Sequence, residues 1–517
     1  MFWRFGFNSN SSAITTLLEK KDVKLEEVLA DPDIIHELKS NNTKLITYLS
    51  KRESLLDLVS LFFSLEGDRH KLPLIACEIL ASEIPQITDA IVIDHRDVLQ
   101  AFWNFLNVPY SPEPTYAFQS SYFLKIITVF ITKRTNDMLC FVKSSPYHLD
   151  KILSHLQDAS IMELLLSLVR LEELPEAKGI VQWLYEHELL INLVHRLDPH
   201  LDSEEHQIAQ QCLSEIVKIS QTSLVDSPSI RVNPLITQLT SKDMIETMMR
   251  YMLDRQAPGY TSTIMHCVSL LIDMIRHNNS DLDQQTPQNE PDFFVSLSDL
   301  LQVITAHIEP LNQILLDRDR KTVGLDRLKI CELYAELLHC SNMSSLQSEH
   351  IGDDFKSACH QHQVISIMIV KQAKLTDRIV DTQEENDRVC AEPKGTRLGH
   401  MGYLTCIADE IIRLFEGYPE SVLGAIKDTI DLDRWYAYCD HQLKETKARD
   451  SIPLGQHAQT PHDEKLEDDV VIYDASWPNI QPFEPVSVKK DLDPFSVTED
   501  ETIYKKEEIT AIPTSNA

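Results

Sequence analysis

The 517-residue sequence predicts an all-α fold: helical hairpins stacked into an α-solenoid, followed by a disordered acidic C-terminal tail. Three observations carry this. Apolar residues recur at three- and four-residue steps over stretches too long for strands, as in "SLLDLVSLFFSL", "SIMELLLSLVRL" and "LKICELYAELLHC". Alternating apolar and polar runs bounded by turn residues, the mark of a sheet, are missing. Three of the helices also align on a cysteine. "AQQCLSEIVKIS" at Cys212, "IMHCVSLLIDMI" at Cys267 and "LKICELYAELLH" at Cys331 each place apolar residues on one stripe after a small residue.

Taken in order, residues 13–29 read as two short helices, with Ser11 or Ser12 capping the first and Asp22, followed by Glu26, starting the second. Each cysteine helix follows a partner, "ELLINLVHRL", "DMIETMMRYML" or "LSDLLQVITAHI". The cysteines are 55 and 64 residues apart. That is looser than the roughly 40–47 residues of strict units, so the expectation is an irregular armadillo/HEAT-like array. Residues 277–295 and 381–400 are rich in Asp, Glu, Asn and Gln and read as polar loops. Beyond residue 450 no helical stripe remains. Residues 451–517 hold seven prolines, and from Asp463 onward fourteen acids face five bases. Such a composition buries too little apolar surface to offset its ordering entropy, so the expected division is a helical domain over 1–450 and a disordered tail over 451–517.

Composition narrows the function. The net charge is −32, from 80 acids and 48 bases, which disfavours nucleic acid and anionic lipid. No apolar run reaches the roughly 18–20 residues of a membrane span, and the longest, "YFLKIITVFI", carries Lys125. The ten cysteines include no C-x-x-C pair and most lie in apolar helical runs, which points to buried free thiols in a reducing compartment. A cytoplasmic protein, compatible with a nuclear pool, is expected. Only twelve glycines are present, and no phosphate loop, zinc-protease motif, nucleophile elbow or kinase set occurs. "CHQHQ" at Cys359 to Gln363 spaces its histidines two apart, so on a helix they do not converge on a metal. No enzyme, cofactor or metal site is expected. "RVNPL" at Arg231 is discounted as a phosphatase-docking string because it lacks the final aromatic.

Two stretches stand apart and supply the candidate partner-binding residues. The opening "MFWRFGF" puts Phe2, Trp3, Phe5 and Phe7 on the chain's most exposed end. Arg4 and the polar residues that follow rule out a secretory signal. These aromatics either staple the open end of the array or contact a partner. The second stretch is "KGTRLGHMGYLTCIADEIIRLF", in which Gly395, Gly399 and Gly402 mark a tight backbone path. It sets Arg397, His400, Met401, Gly402 and Leu404 at a turn on the far end of the array.

These same stretches carry a resemblance. The opening residues through "KLITYL", the middle "SIMELLLSLVRL…QQCLSEIVKIS" and the string "RLGHMGYLTCIADEII" resemble, in order, three parts of the SAPS family, proteins associated with Sit4-type and protein phosphatase 6 catalytic subunits. The likeness covers roughly residues 1–440; Tyr403 departs from it, standing where many members have histidine. It implies a non-catalytic regulatory subunit that binds a protein phosphatase 6-type catalytic subunit and bridges to ankyrin-repeat partners. The alternative is a phosphatase-independent scaffold in membrane trafficking that uses the Asp493–Phe495 string of the tail as an adaptor ligand.

Overall fold

The structure is a computed structural model that describes residues 13–20, 23–64, 71–221, 230–279, 295–316, 324–341, 369–371, 374–417 and 430–451. The chain divides into Met1–Ile452 and Pro453–Ala517, and the second unit lies outside the described residues, as do the opening aromatics and the CHQHQ string. Among the described residues all regular structure is helical, and no helix there is long and apolar enough to cross a membrane.

A helical array is present with two of the three expected pairings, while the Cys331 helix packs on Ile308–Leu316 instead of on Ser298–Ala306. The helices Pro114–Lys133, Ala159–Arg170, Ser203–Gln221, Tyr260–Asn279, Gly324–Ser341 and Met401–Gly417 form one row, each packed on the next. The shorter helices Leu189–His195, Lys242–Leu253 and Ser298–Ala306 form a second row behind it. The stripe read from the sequence is the buried one. The Cys267 helix buries Ile264, Val268, Leu271 and Ile275, spaced by four, three and four residues, with Cys267 beside them. Each such side chain contributes about 1.5–3 kcal/mol when removed from water.

The last member of the row is a fourth cysteine helix. Cys406 in "YLTCIADEIIRL" follows Cys331 by 75 residues and, like it, lies in the first half of its helix. Cys77, Cys212 and Cys267 are buried as expected, and burial pushes the first two thiols up to about 12. Cys140 is exposed instead, off the buried stripe of its helix, and Cys390 is exposed as the last residue of Leu375–Cys390.

Several local expectations are corrected. Residues 381–390 are not loop: Leu375–Cys390 is a continuous helix. Its buried positions run Leu375, Thr376, Ile379, Val380, Gln383, Asn386, so the helical stripe persists but changes from aliphatic to amide side chains. Similarly, the helix Tyr260–Asn279 extends into the 277–295 stretch, whose residues 280–294 lie outside the described set. The two first helices, Ala13–Leu18 and Leu25–Leu29, lie where expected. Ser11, Ser12 and Asp22 are outside the described residues, and Lys24 stands at the second N-cap without a side-chain bond. Side-chain caps do occur at Asn42, Asp158 and Asn233, each accepting from two backbone N–H groups. Asn233 belongs to the RVNPL string, so part of that string serves as a helix start.

Polar bridges cross from helix to helix near the C-terminal ends of the long row. Arg170 reaches Glu215 at 3.9 Å, and Ser214 donates to Asp273. Arg276 bonds Glu336 at 2.7 Å, and His339 bonds Glu410 at 3.1 Å. Each bridge joins neighbours in the row, so together they fix the register of consecutive helices. The carboxylates of Glu336 and Glu410 are almost fully buried.

Candidate partner-binding site

The described candidate residues gather where the last long helix begins. Three contacts shape the approach to it. The buried Asn386 accepts from the Leu398 backbone N–H at 3.0 Å, which ties the segment 391–400 to the preceding helix. Gly395 passes so close to Val389 that a Cβ there would overlap the Val389 carbonyl oxygen. Arg397 forms two bonds of 2.9 Å to the two oxygens of Asp450, and Lys447 bonds Asp409 at 2.9 Å. The helix Lys444–Asp450 thus straps back to the last long helix, while Leu432–Tyr438 packs on Leu375–Cys390.

This sorts the candidates. Arg397 is engaged in a bidentate ion pair within the chain, and Met401 is buried at the start of its helix. Both serve the fold. His400 is half-buried beside Arg327, and burial with that cation pushes its imidazole below the ordinary value, favouring the neutral ring. Gly402 is exposed and Leu404 partly exposed. Among the glycines, Gly395 needs its smallness, whereas Gly399 and Gly402 do not match the expectation of a glycine-only backbone. Neither has a positive φ, and a Cβ at either meets nothing within 4 Å. Gly402 is the second residue of the helix Met401–Gly417 rather than a turn residue. The described glycines in left-handed geometry are Gly179 and Gly324.

The structure adds residues that the pattern did not reveal. Tyr403 donates its hydroxyl to Glu332 at 3.0 Å, and Lys329 bonds the same carboxylate at 2.6 Å. Burial and Glu332 together push the Tyr403 phenol up to about 12. Leu325, Lys329 and Glu332 share one stripe of the Gly324–Ser341 helix, four and three residues apart. Leu325 is 54% exposed, second only to Tyr147 among the large apolar side chains of the described residues. An open leucine, an exposed glycine and a hydrogen-bonded tyrosine thus lie at the starts of two neighbouring helices. A backbone can approach at Gly402, while Leu325 offers apolar area. The signal that could have found this was the Cys406 alignment, which sets the two helices side by side.

No group of three or more His, Cys, Asp or Glu residues among the described residues is arranged to hold a metal ion. The geometry is that of a helical-repeat protein. Comparison with known sequences gives the family. Residues 127–359 and 354–452 match the SAPS family, described as SIT4 phosphatase-associated protein, so the chain belongs to that family. It is 26% identical to the fission yeast (Schizosaccharomyces pombe) Extragenic suppressor of kinetochore protein 1, across 88% of this chain and 78% of that protein. It is 28% identical to Serine/threonine-protein phosphatase 6 regulatory subunit 3-A of Xenopus laevis, across 90% of this chain and 62% of that one. With the human regulatory subunit 1 the identity is 26%, over 88% and 59%. The chain therefore spans about three fifths of the length of these vertebrate relatives. Those relatives are named as regulatory subunits rather than as phosphatases. No solved structure matches.

Proposed function

We propose that this chain is a non-catalytic regulatory subunit that binds a protein phosphatase 6 (Sit4-type) catalytic subunit and directs its substrate choice or location. The observation that carries the reading is the family match over residues 127–452, which takes in the row of long helices from the Pro114–Lys133 helix to the strap over Met401–Gly417. Helical repeat arrays present long continuous surfaces to partners. The proposed contact includes the face at Leu325, His400, Gly402 and Leu404. An ankyrin-repeat protein as third component and a cytoplasmic location belong to the same proposal. Affinity purification of the intact chain with mass spectrometry tests it. A phosphatase 6-type catalytic subunit is expected at near-equal abundance, and its absence from repeated purifications would overturn the reading. Leu325→Asp in the same assay should lower its recovery, whereas Phe495→Ala in the tail string should leave it unchanged.

A further inference from the structure

The four bridges along the long row differ in what holds them. Two rest on arginine, which stays charged at every physiological pH, and one on a serine hydroxyl bound to Asp273. The fourth rests on a histidine, the side chain that gains or loses its charge near neutrality. That histidine joins the Gly324–Ser341 helix to the last long helix, which carries Gly402 and Leu404.

The surroundings of His339 make its charge consequential. From the Met401–Gly417 helix, Glu410 lies 3.1 Å from Nδ1, and Arg413 contacts the same carboxylate at 3.4 Å. From its own helix Glu336 faces it, and Arg276 of the Tyr260–Asn279 helix bonds Glu336 at 2.7 Å. Asp273 and His277 lie within a turn of Arg276, and on the remaining packed element, Ile308–Leu316, the charged residue is Glu309. Glu410 and Glu336 are almost fully buried, so a neutral His339 leaves Glu410 with less cationic support inside the protein. The hydrogen bond to Glu410 and its charge hold the His339 imidazole above its ordinary value, against the opposing effect of burial. A raised folded-state value means that the bridge is fully formed below the unfolded value near 6.5 and is lost as pH rises through the folded one.

We propose that the His339–Glu410 bridge is a proton-operated latch on the last repeat. With His339 protonated, the helix Met401–Gly417 and its strap are held on the row; loss of the proton loosens them while the earlier bridges stay closed. This gives one end of the array, including the face at Gly402, a pH-dependent order that the rest lacks. The inference stands on the bridge geometry and is independent of which partner is bound.

Hydrogen exchange of the intact chain between pH 6 and pH 8.5, corrected for intrinsic chemical rates, tests it. Protection of residues 401–417 and 432–450 should fall by roughly threefold or more as pH rises, with no matching change in 260–279. His339→Gln should show the loosened level at every pH, and His339→Lys should stay protected across the range. A wild-type profile flat with pH, or a pH response surviving in either variant, would overturn the latch. If His339→Gln does not fold, the His339→Lys profile decides alone.

Discussion

The described residues of 52–156 and of 203–417 both form packed helices, yet the buried contacts between neighbours differ in kind. In the first region the shared core is a cluster of rings. Phe62 lies 4.9 Å from Phe102, Phe102 5.1 Å from Phe123, Phe105 5.0 Å from Phe123, and Trp103 5.4 Å from Phe141, measured between ring centroids. Some buried polar groups bond within that core: Tyr116 meets His155 at 2.7 Å, and His155 meets the Leu106 carbonyl at 2.9 Å. In the second region aliphatic stripes provide the burial, and directional bridges such as Arg276–Glu336 and His339–Glu410 set how one helix aligns with the next. Apolar contact tolerates small slips because it has no preferred direction. A buried carboxylate that must meet one cation does not. The second region differs in that its bridges end on the nearly buried carboxylates of Glu336 and Glu410, whereas interhelical pairs of the first region such as Arg52–Asp97 and Lys125–Glu78 are about half exposed.

The largest expected effect breaks the ring cluster. Phe102→Ala should cost about 3–5 kcal/mol, the usual range for a buried phenylalanine, because Phe102 is 1% exposed and contacts three other rings. Denaturant unfolding measures it. A loss under about 1 kcal/mol would mean that the cluster relaxes freely and that the first region is not knit by its rings.

A smaller effect is expected from the bridges. Glu336→Gln should cost about 1–2 kcal/mol: its carboxylate is nearly buried, but Arg276 is 50% exposed, and solvent screens the pair. A double-mutant cycle with Arg276→Ala should return a coupling near 1 kcal/mol. Additive effects would show that the bridge contributes no register and would collapse the contrast between the regions.

Next comes Asn386→Ala, expected to cost about 1 kcal/mol through loss of the bond to the Leu398 N–H. Its signature is local. Hydrogen exchange should rise in 391–400 before it rises in the long row; a uniform rise instead would place Asn386 in the shared core and not at the approach to the site.

These sites also show what was legible in the sequence. The helical class and two of the three helix pairings followed from apolar spacing, since burying a stripe is what a helix needs in order to pack; the partner of the Cys331 helix, Ile308–Leu316, did not. "AFWNFL" announces the ring cluster by density alone. The bridges gave no such sign: Arg276 and Glu336 are 60 residues apart, and each looks like an ordinary surface charge until the fold joins them. The helix Leu375–Cys390 was hidden for a related reason. Gln383 and Asn386 occupy its buried stripe, so polarity suggested a loop where their amides hold partners. In the candidate site, glycine density was read correctly at Gly395 and wrongly at Gly402, because rarity in the chain cannot tell a crowded backbone from an open one.

Gly402 gives the smallest expected change in stability and the sharpest test of the contact surface. It is exposed in the first turn of the Met401–Gly417 helix, its φ is not positive, and a Cβ there meets nothing within 4 Å. Valine is a better helix residue than glycine by a few tenths of a kcal/mol, so Gly402→Val should leave the melting temperature unchanged or slightly raised. Gly395→Val is the control, because its Cβ would overlap the Val389 carbonyl and should destabilise the approach segment. If a partner backbone packs against the helix start at Gly402, the added side chain meets the partner instead of the chain itself. Capture of the phosphatase catalytic subunit by the intact protein should then fall at full stability. Wild-type melting together with wild-type capture would remove Gly402 from the surface and shift the proposed contact toward Leu325 or elsewhere along the row. Lower melting would contradict the open space seen around it, and with it the distinction between a glycine required by the fold and one left free for a partner.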